Sequence, residues 1–205
     1  MNSGYLARPF EGETVCGDAG AIWQRPSRRI MALADGLGHG PAAHHAAMCA
    51  MQCIEDSIEH STKHSIERSC AELFAACDAR LLLTRGAALA IAIIDQARDV
   101  VTLASIGNIR AVLLTQHGDF RLGGGRGIVG AGYTWMPPDQ MPLAAGDTLV
   151  MFSDGVDELA DVRACLNRYD VTPQTLAEDI LARWGQRSDD ASVLVYRHDN
   201  GGAAC

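Results

Sequence analysis

The sequence predicts an α+β fold, a layered sandwich of β-sheets with helices outside, on three observations. Strand-like apolar runs open and close the chain, two helical segments lie side by side between them, and most connections between successive runs are short. Such connections pair strands antiparallel, because a parallel pair needs a crossover of roughly a dozen residues or more.

The elements follow in order. Residues 14–24 and 29–34 read as two strands joined by a turn at Arg25-Pro26-Ser27. The second, Arg29-Ile30-Met31-Ala32-Leu33-Ala34, is almost wholly apolar, as a strand buried on both faces must be. It stops at Asp35, where Gly36, Gly38, Gly40 and Pro41 punctuate the chain. Proline suits a first helical turn, so a helix is expected from Pro41 through the Ala/Met/Cys-rich stretch to about Ile58. A second helix is expected over 65–83, where Ile66, Cys70, Leu73, Phe74, Cys77 and Leu81 recur with helical period and Arg85-Gly86 closes it.

Three β-like runs come next, at 87–94, 99–106 and 109–115, linked by hairpin-like connections at 95–98 and 107–108. The run Gly123-Gly124-Gly125-Arg126-Gly127 reads as a loop, and 128–145, with three prolines, as irregular. A strand at 148–152 ends at Ser153-Asp154-Gly155. A short helix and a linker lead to a helix at 173–184, capped by Thr172 ahead of Pro173, and the last strand is 191–197. With no repeat and no interdomain linker, one domain is expected over 1–199, with 200–205 a disordered tail.

Composition narrows the function. The 205 residues are 48% hydrophobic and 20% charged, as in an ordinary soluble protein. The formal net charge of −8 argues against nucleic acid as principal partner, since a phosphate backbone needs a basic face. An acidic protein can still handle phosphate if metal ions supply positive charge. No signal peptide and no membrane-spanning run are expected, which predicts a cytoplasmic protein without a membrane partner. The seven cysteines, odd in number and without framework spacing, suit reduced thiols. Cys49 and Cys53 read as helix packing, because zinc-ligand spacing is missing.

The chemistry stands at strand ends. Asp18, Asp35, Asp154 and the pair Asp189-Asp190 each lie beside a strand, and the first three each adjoin a glycine. Any one of them reads as a turn or cap residue. As a set they suggest a carboxylate-rich site for a hard cation such as Mg²⁺ or Mn²⁺, without which converging carboxylates would repel one another. His39, His44 and His45 offer a rival metal reading, but no His-Glu-x-x-His is present, and they read better as solvated or capping residues. The glycine run lacks a Gly-Lys-Ser/Thr ending, and no Gly-x-Ser-x-Gly elbow occurs.

In order along the chain, Cys16-Gly17-Asp18, Ala34-Asp35-Gly36-Leu37-Gly38-His39-Gly40, Arg85-Gly86-Ala87, Ser105-Ile106-Gly107-Asn108-Ile109-Arg110, Ser153-Asp154-Gly155 and Asp189-Asp190-Ala191-Ser192 form a series. It resembles the metal-dependent protein phosphatases (PPM, type 2C), and within them the SpoIIE-type branch, closest to the RsbX type of stressosome serine phosphatase. The resemblance runs from about residue 12 to 196. It implies a four-layer sandwich, two stacked antiparallel sheets flanked by helices, with two Mn²⁺ or Mg²⁺ ions at one edge. By motif position Asp35 would bridge the ions and the Gly36 carbonyl would bind the second. Asp154 and Asp189 would complete the first ion's ligands, and Asp18 would serve the second. Asp190 would hold a weak third ion or lie behind the ligands. The implied reaction is hydrolysis of phosphoserine or phosphothreonine by a metal-activated water, with Asp35, Asp154 and Asp189 acting through it.

The implied substrates are phosphorylated STAS-domain proteins of the stressosome, of the RsbS and RsbR types. The first motif is Gly-Asp where eukaryotic members have Glu-Asp. No phosphate-binding arginine is assigned, Arg8 standing too far along the chain from Asp18. The leaving-group acid is also unassigned, His39 being a candidate beside the metal turn. Two alternatives stay open: a phosphomonoesterase for small substrates, and a non-catalytic STAS-binding regulator on the same fold.

Overall fold

Alternation along the strands sorts the apolar residues into three layers. In the computed structural model, which describes residues 2–59, 66–166 and 171–199, the strands are β1 (Ser3–Arg8), β2 (Asp18–Arg25), β3 (Arg28–Gly36), β4 (Ala87–Asp95), β5 (Val100–Ile106), β6 (Arg110–Thr115), β7 (Gly118–Leu122), β8 (Arg126–Ile128), β9 (Gly132–Thr134), β10 (Asp139–Pro142), β11 (Thr148–Phe152) and β12 (Ala191–Arg197). The helices are α1 (Gly40–Glu59), α2 (Ile66–Leu81), α3 (Val162–Leu166) and α4 (Pro173–Trp184). The expected helix start at Ser65, the linker after α3 and the tail 200–205 lie wholly or partly outside the described residues.

Two five-stranded sheets, β1-β12-β11-β6-β7 and β10-β5-β4-β3-β2, are paired antiparallel throughout, and β8 and β9 form a separate hairpin. On β3, Met31 and Leu33 face the other sheet, joining Leu113, Leu149, Met151 and Leu194 in the central layer. Ala32 and Ala34 face outward against Ala47, Ala50 and Ile54 of α1 and Phe74 of α2. On the far side Val150, Phe152, Val193 and Val195 meet Leu176, Ala177 and Ile180 of α4. The result is the expected α+β sandwich of helices, sheet, sheet and helices. Small side chains let α1 approach closely: a Cβ on Gly36 would sit 2.0 Å from the Ala43 carbonyl oxygen.

The strands and helices expected from apolar periodicity all form, within a few residues of their expected bounds. The strand expected from residue 14 begins instead at Asp18, where pairing with Asp35 starts. Five short elements were not expected: β1, β7, β8, β9 and β10. β1 is an edge strand whose half-buried residues carry little alternation. β8, β9 and β10 fall in the stretch expected to be loop and irregular; each has three or four mostly exposed residues, set by pairing rather than by an apolar face. Pro142 is tolerated because β10 is an edge strand.

The end of the sandwich formed by the β4–β5 turn is closed by a polar network. His198, only 1% exposed, lies 3.0 Å through Nε2 from Asp99 Oδ1 and 3.0 Å through Nδ1 from the Tyr196 hydroxyl. The Asp99 carboxylate accepts from Nε2–H, and the Tyr196 hydroxyl is the partner of Nδ1.

At α4 the Thr172 side chain accepts from Thr175 N–H, and the Thr175 hydroxyl is 2.8 Å from the Thr172 N–H that it accepts from, a reciprocal cap. Thr172→Ala is expected to lower unfolding stability by about 1 kcal/mol, read as a lower urea midpoint at unchanged slope.

Candidate metal centre

The opposite end of the sandwich is built from the same alternation. Asp35 continues the inward face of β3 after Met31 and Leu33, and Asp18, its partner in the β2–β3 register, faces the same way. Ser153 and Ser192 take the corresponding inward places on the opposing sheet, just beyond Met151 and just before Leu194. Their hydroxyls donate to Asp18 Oδ2 at 2.6 and 2.7 Å, and Ser192 N–H donates to Ser153 Oγ at 2.9 Å. The buried Asp18 carboxylate is thus fixed by groups at the adjoining ends of two neighbouring strands of the facing sheet, while its Oδ1 is buried without a partner.

Asp154 follows β11 and is exposed, with Asn108 Nδ2 donating to its Oδ2 at 2.6 Å. Asp189 and the buried Asp190 precede β12. Asp190 Oδ1 accepts from Phe10 N–H at 2.9 Å, and Oδ2 is buried and unpartnered. The flanking glycines have a steric reason. A Cβ on Gly17 would lie 2.5 Å from Asp190 Oδ2, and one on Gly155 would lie 1.9 Å from the Asp190 carbonyl oxygen.

Crowding shows in proton affinity. Burial pushes Asp35 up to about 9, helped by the charges of Asp18, Asp154 and Asp189. Burial likewise raises Asp18 to about 6 against the two serine hydrogen bonds that favour its charged form. Asp189 is raised by burial and by Asp154.

The turn after Asp35 is fixed by Gly36 N–H to the Gly17 carbonyl at 3.2 Å and Leu37 N–H to the Gly86 carbonyl at 3.0 Å. Gly38, at φ +86°, leaves room for the Arg85 guanidinium, whose Nη1 would stand 2.8 Å from a Cβ there. His39 Nδ1 lies 2.8 Å from Glu13 Oε1, and its ring stacks on Phe10 at 4.6 Å between centroids. His44 Nδ1 donates to the Cys16 carbonyl, and His45 stands exposed on α1, so the three histidines do not converge.

A profile described as Stage II sporulation protein E (SpoIIE) matches residues 25–199. The chain belongs to the SpoIIE family. A chain 31% identical, from the structure reported as "The bacterial stressosome: a modular system that has been adapted to control secondary messenger signaling", superposes with TM-score 0.86 over 96% of this chain and 98% of that one. RsbX, solved in complex with magnesium, is 20% identical with TM-score 0.74, over 96% and 94%. The PP2C phosphatase domain of SpoIIE from Bacillus subtilis, with a fragment of its regulatory domain, is 20% identical with TM-score 0.76, over 96% of this chain and 63% of that one. These two likenesses establish a PP2C fold. Comparison with curated protein sequences gave no significant match.

In this SpoIIE-family chain the donor set fits a hard cation. Carboxylate oxygens of Asp18 and Asp190 are buried without partners, and like charges face each other across β2 and β3, which costs stability unless something positive intervenes. Among the described residues no three His, Cys, Asp or Glu side chains already converge on one point. The carboxylates share one end of the fold and interact through their charges. Sequence reasoning identified the acidic residues but gave no role to Ser153, Ser192 and Asn108, which hold Asp18 and Asp154, although all three stand inside the quoted motifs.

Asp18 and Asp35 bind protons more tightly folded than unfolded, where 3.8 applies. Their contribution to stability is therefore present below the unfolded value and lost as pH rises through about 6 and then about 9. In EDTA the melting temperature should fall as pH rises from about 5 to about 9, less steeply in Asp35→Asn; the gain on adding Mg²⁺ or Mn²⁺ should grow over the same range. Differential scanning fluorimetry checks both slopes.

Proposed function

We propose that the chain is a metal-dependent protein serine/threonine phosphatase, a single catalytic domain over residues 1–199 acting in the cytoplasm on a phosphorylated signalling partner. The observation that carries this reading is the gathering of Asp18, Asp35, Asp154, Asp189 and Asp190 at one end of a PP2C fold, with buried carboxylate oxygens left unpartnered. Asp35, Asp154, Asp189, Asp18 and the Gly36 carbonyl would hold two Mn²⁺ or Mg²⁺ ions, with Asp35 as the ligand shared between them. Asp190 would hold a weak third ion or support the other ligands. When bound, the ions supply an activated water and neutralise charge on the phosphoryl group, which is how an acidic protein accepts a phosphorylated one.

The chain's own residues do the positioning. Ser153 and Ser192 keep Asp18 oriented and charged by donating to one oxygen, leaving the other for a cation. Asn108 orients Asp154 by donating to its Oδ2. Arg85, which has no hydrogen-bond or ion-pair partner among the described residues, presents its guanidinium beside the turn and is suited to a phosphoryl oxygen. His39, with Nδ1 engaged by Glu13, keeps Nε2 free to give a proton to the leaving serine oxygen.

The substrate class we propose is a phosphorylated STAS-domain protein of the RsbS or RsbR type. The 31% identity to a chain reported in a bacterial stressosome context supports it.

Asp35→Ala and Asp154→Ala should each lower kcat/KM on a phospho-STAS protein by about a thousandfold or more, and EDTA should abolish turnover until Mn²⁺ or Mg²⁺ is restored. Phosphate release followed by intact mass reads this, and full activity in either variant would sink the assignment. Preference for a small phosphomonoester would point instead to a general phosphomonoesterase. Arg85→Ala should raise KM for the phosphoprotein roughly tenfold, with cation affinity unchanged by calorimetry.

A further inference from the structure

A cavity of about 340 Å³ opens on the outer face of the sheet that contains β6 and β7. Helix α4 packs mainly on β1 and β12 of that sheet. Val112, Phe152 and Ala160, which belong to the apolar cluster on this side of the sheet, are among the residues that line it, so part of its floor is apolar. Its rim is cationic. Arg121, exposed on β7 and opposite Val112 in the register, makes no hydrogen bond or ion pair among the described residues. Arg110 also lines the rim and is paired there with Glu158. Two arginines against one carboxylate give this patch the sign opposite to the whole chain, at −8.

The cavity is continuous with the carboxylate end of the fold. Asn108 lines the cavity and donates to Asp154, so a chain lying in the cavity passes directly to the candidate metal centre. Leu159, 83% exposed, stands beside the wall formed by Glu158 and Ala160 and adds apolar surface where such a chain would enter. The size suits two or three side chains, well short of a folded domain.

We propose that this groove is the docking subsite for the segment flanking the phosphorylated residue of the protein substrate, and that it selects segments with acidic side chains beside apolar ones. The inference rests on the phosphatase reading of the neighbouring carboxylates. Arg121 recognises the acidic side chain, with the charge of Arg110 beside it, and the apolar part of the floor takes its neighbour. Glu158 competes for Arg110 and so weakens the selection. A substrate with basic flanks meets like charge at the rim and is rejected.

The test uses the full chain with Mn²⁺ and synthetic phosphoserine peptides whose flanks are acidic, alanine or lysine, with p-nitrophenyl phosphate as a substrate too small to reach the groove. The wild type should prefer the acidic-flanked over the alanine-flanked peptide by about fivefold to tenfold in kcat/KM, an effect lost at high salt. Arg121→Ala should abolish most of that preference and leave p-nitrophenyl phosphate turnover unchanged. Arg121→Glu should invert it toward lysine flanks, and Glu158→Gln should increase it. A preference that survives Arg121→Ala and Arg121→Glu, or no preference in the wild type, overturns the proposal. Peptide binding to the Asp35→Asn variant, followed by fluorescence anisotropy, reads the groove without turnover. Flank-dependent binding in a protein whose wild type hydrolyses nothing would keep the groove and discard the phosphatase, whereas hydrolysis without flank dependence would do the reverse.

Discussion

Asp18 is the point through which the two sheets meet at the functional end. Its carboxylate belongs to β2 of one sheet, and both hydroxyls that hold it belong to residues bordering β11 and β12 of the other. A hydrogen bond to a charged group contributes more than one between neutral groups, and burial raises the cost of losing either serine. The contact therefore sets the separation of the sheets where Asp35, Asp154 and Asp189 must come near one another. Gly17 and Gly155 serve the same spacing, since any side chain on them would displace Asp190.

The arrangement works against the stability of the bare protein. Facing carboxylates on paired strands would, in an ordinary sheet, be replaced by apolar or oppositely charged residues. Here the alternation that builds the central apolar layer is carried one step further at each strand end and delivers polar groups instead: Leu33 then Asp35, Met151 then Ser153, Leu194 back to Ser192. The apolar layer fixes the direction of these side chains, and the charged cluster has its geometry because the core beside it is closely packed.

Much of this was legible in the sequence because it depends on period. Long apolar strands such as Ala87–Asp95 and helices with a clear stripe such as α2 could be read directly, and so could acidic residues at strand ends. The short strands β8 to β10 could not, because their mostly exposed residues have no apolar face and pair only once distant strands are in place. The same reason hid the partners within the site. Ser192 and Asp18 are 174 residues apart, and nothing local marks a serine as the group that holds a carboxylate. Arg85 was visible inside a motif, but its place beside the Asp35 turn depends on Gly38 leaving space and on the backbone bond from Leu37 to Gly86.

The Tyr196–His198–Asp99 network gives the two ends of the sandwich different characters. At that end Tyr196, His198 and Asp99 find their partners inside the protein. At the other end, on the metal-dependent reading proposed above, the closing charge would be borrowed from solution. A molecule deprived of divalent ions would then loosen from one side, like a book opening away from its spine. Its persistence in the cell, and not only its chemistry, would follow the supply of free cations.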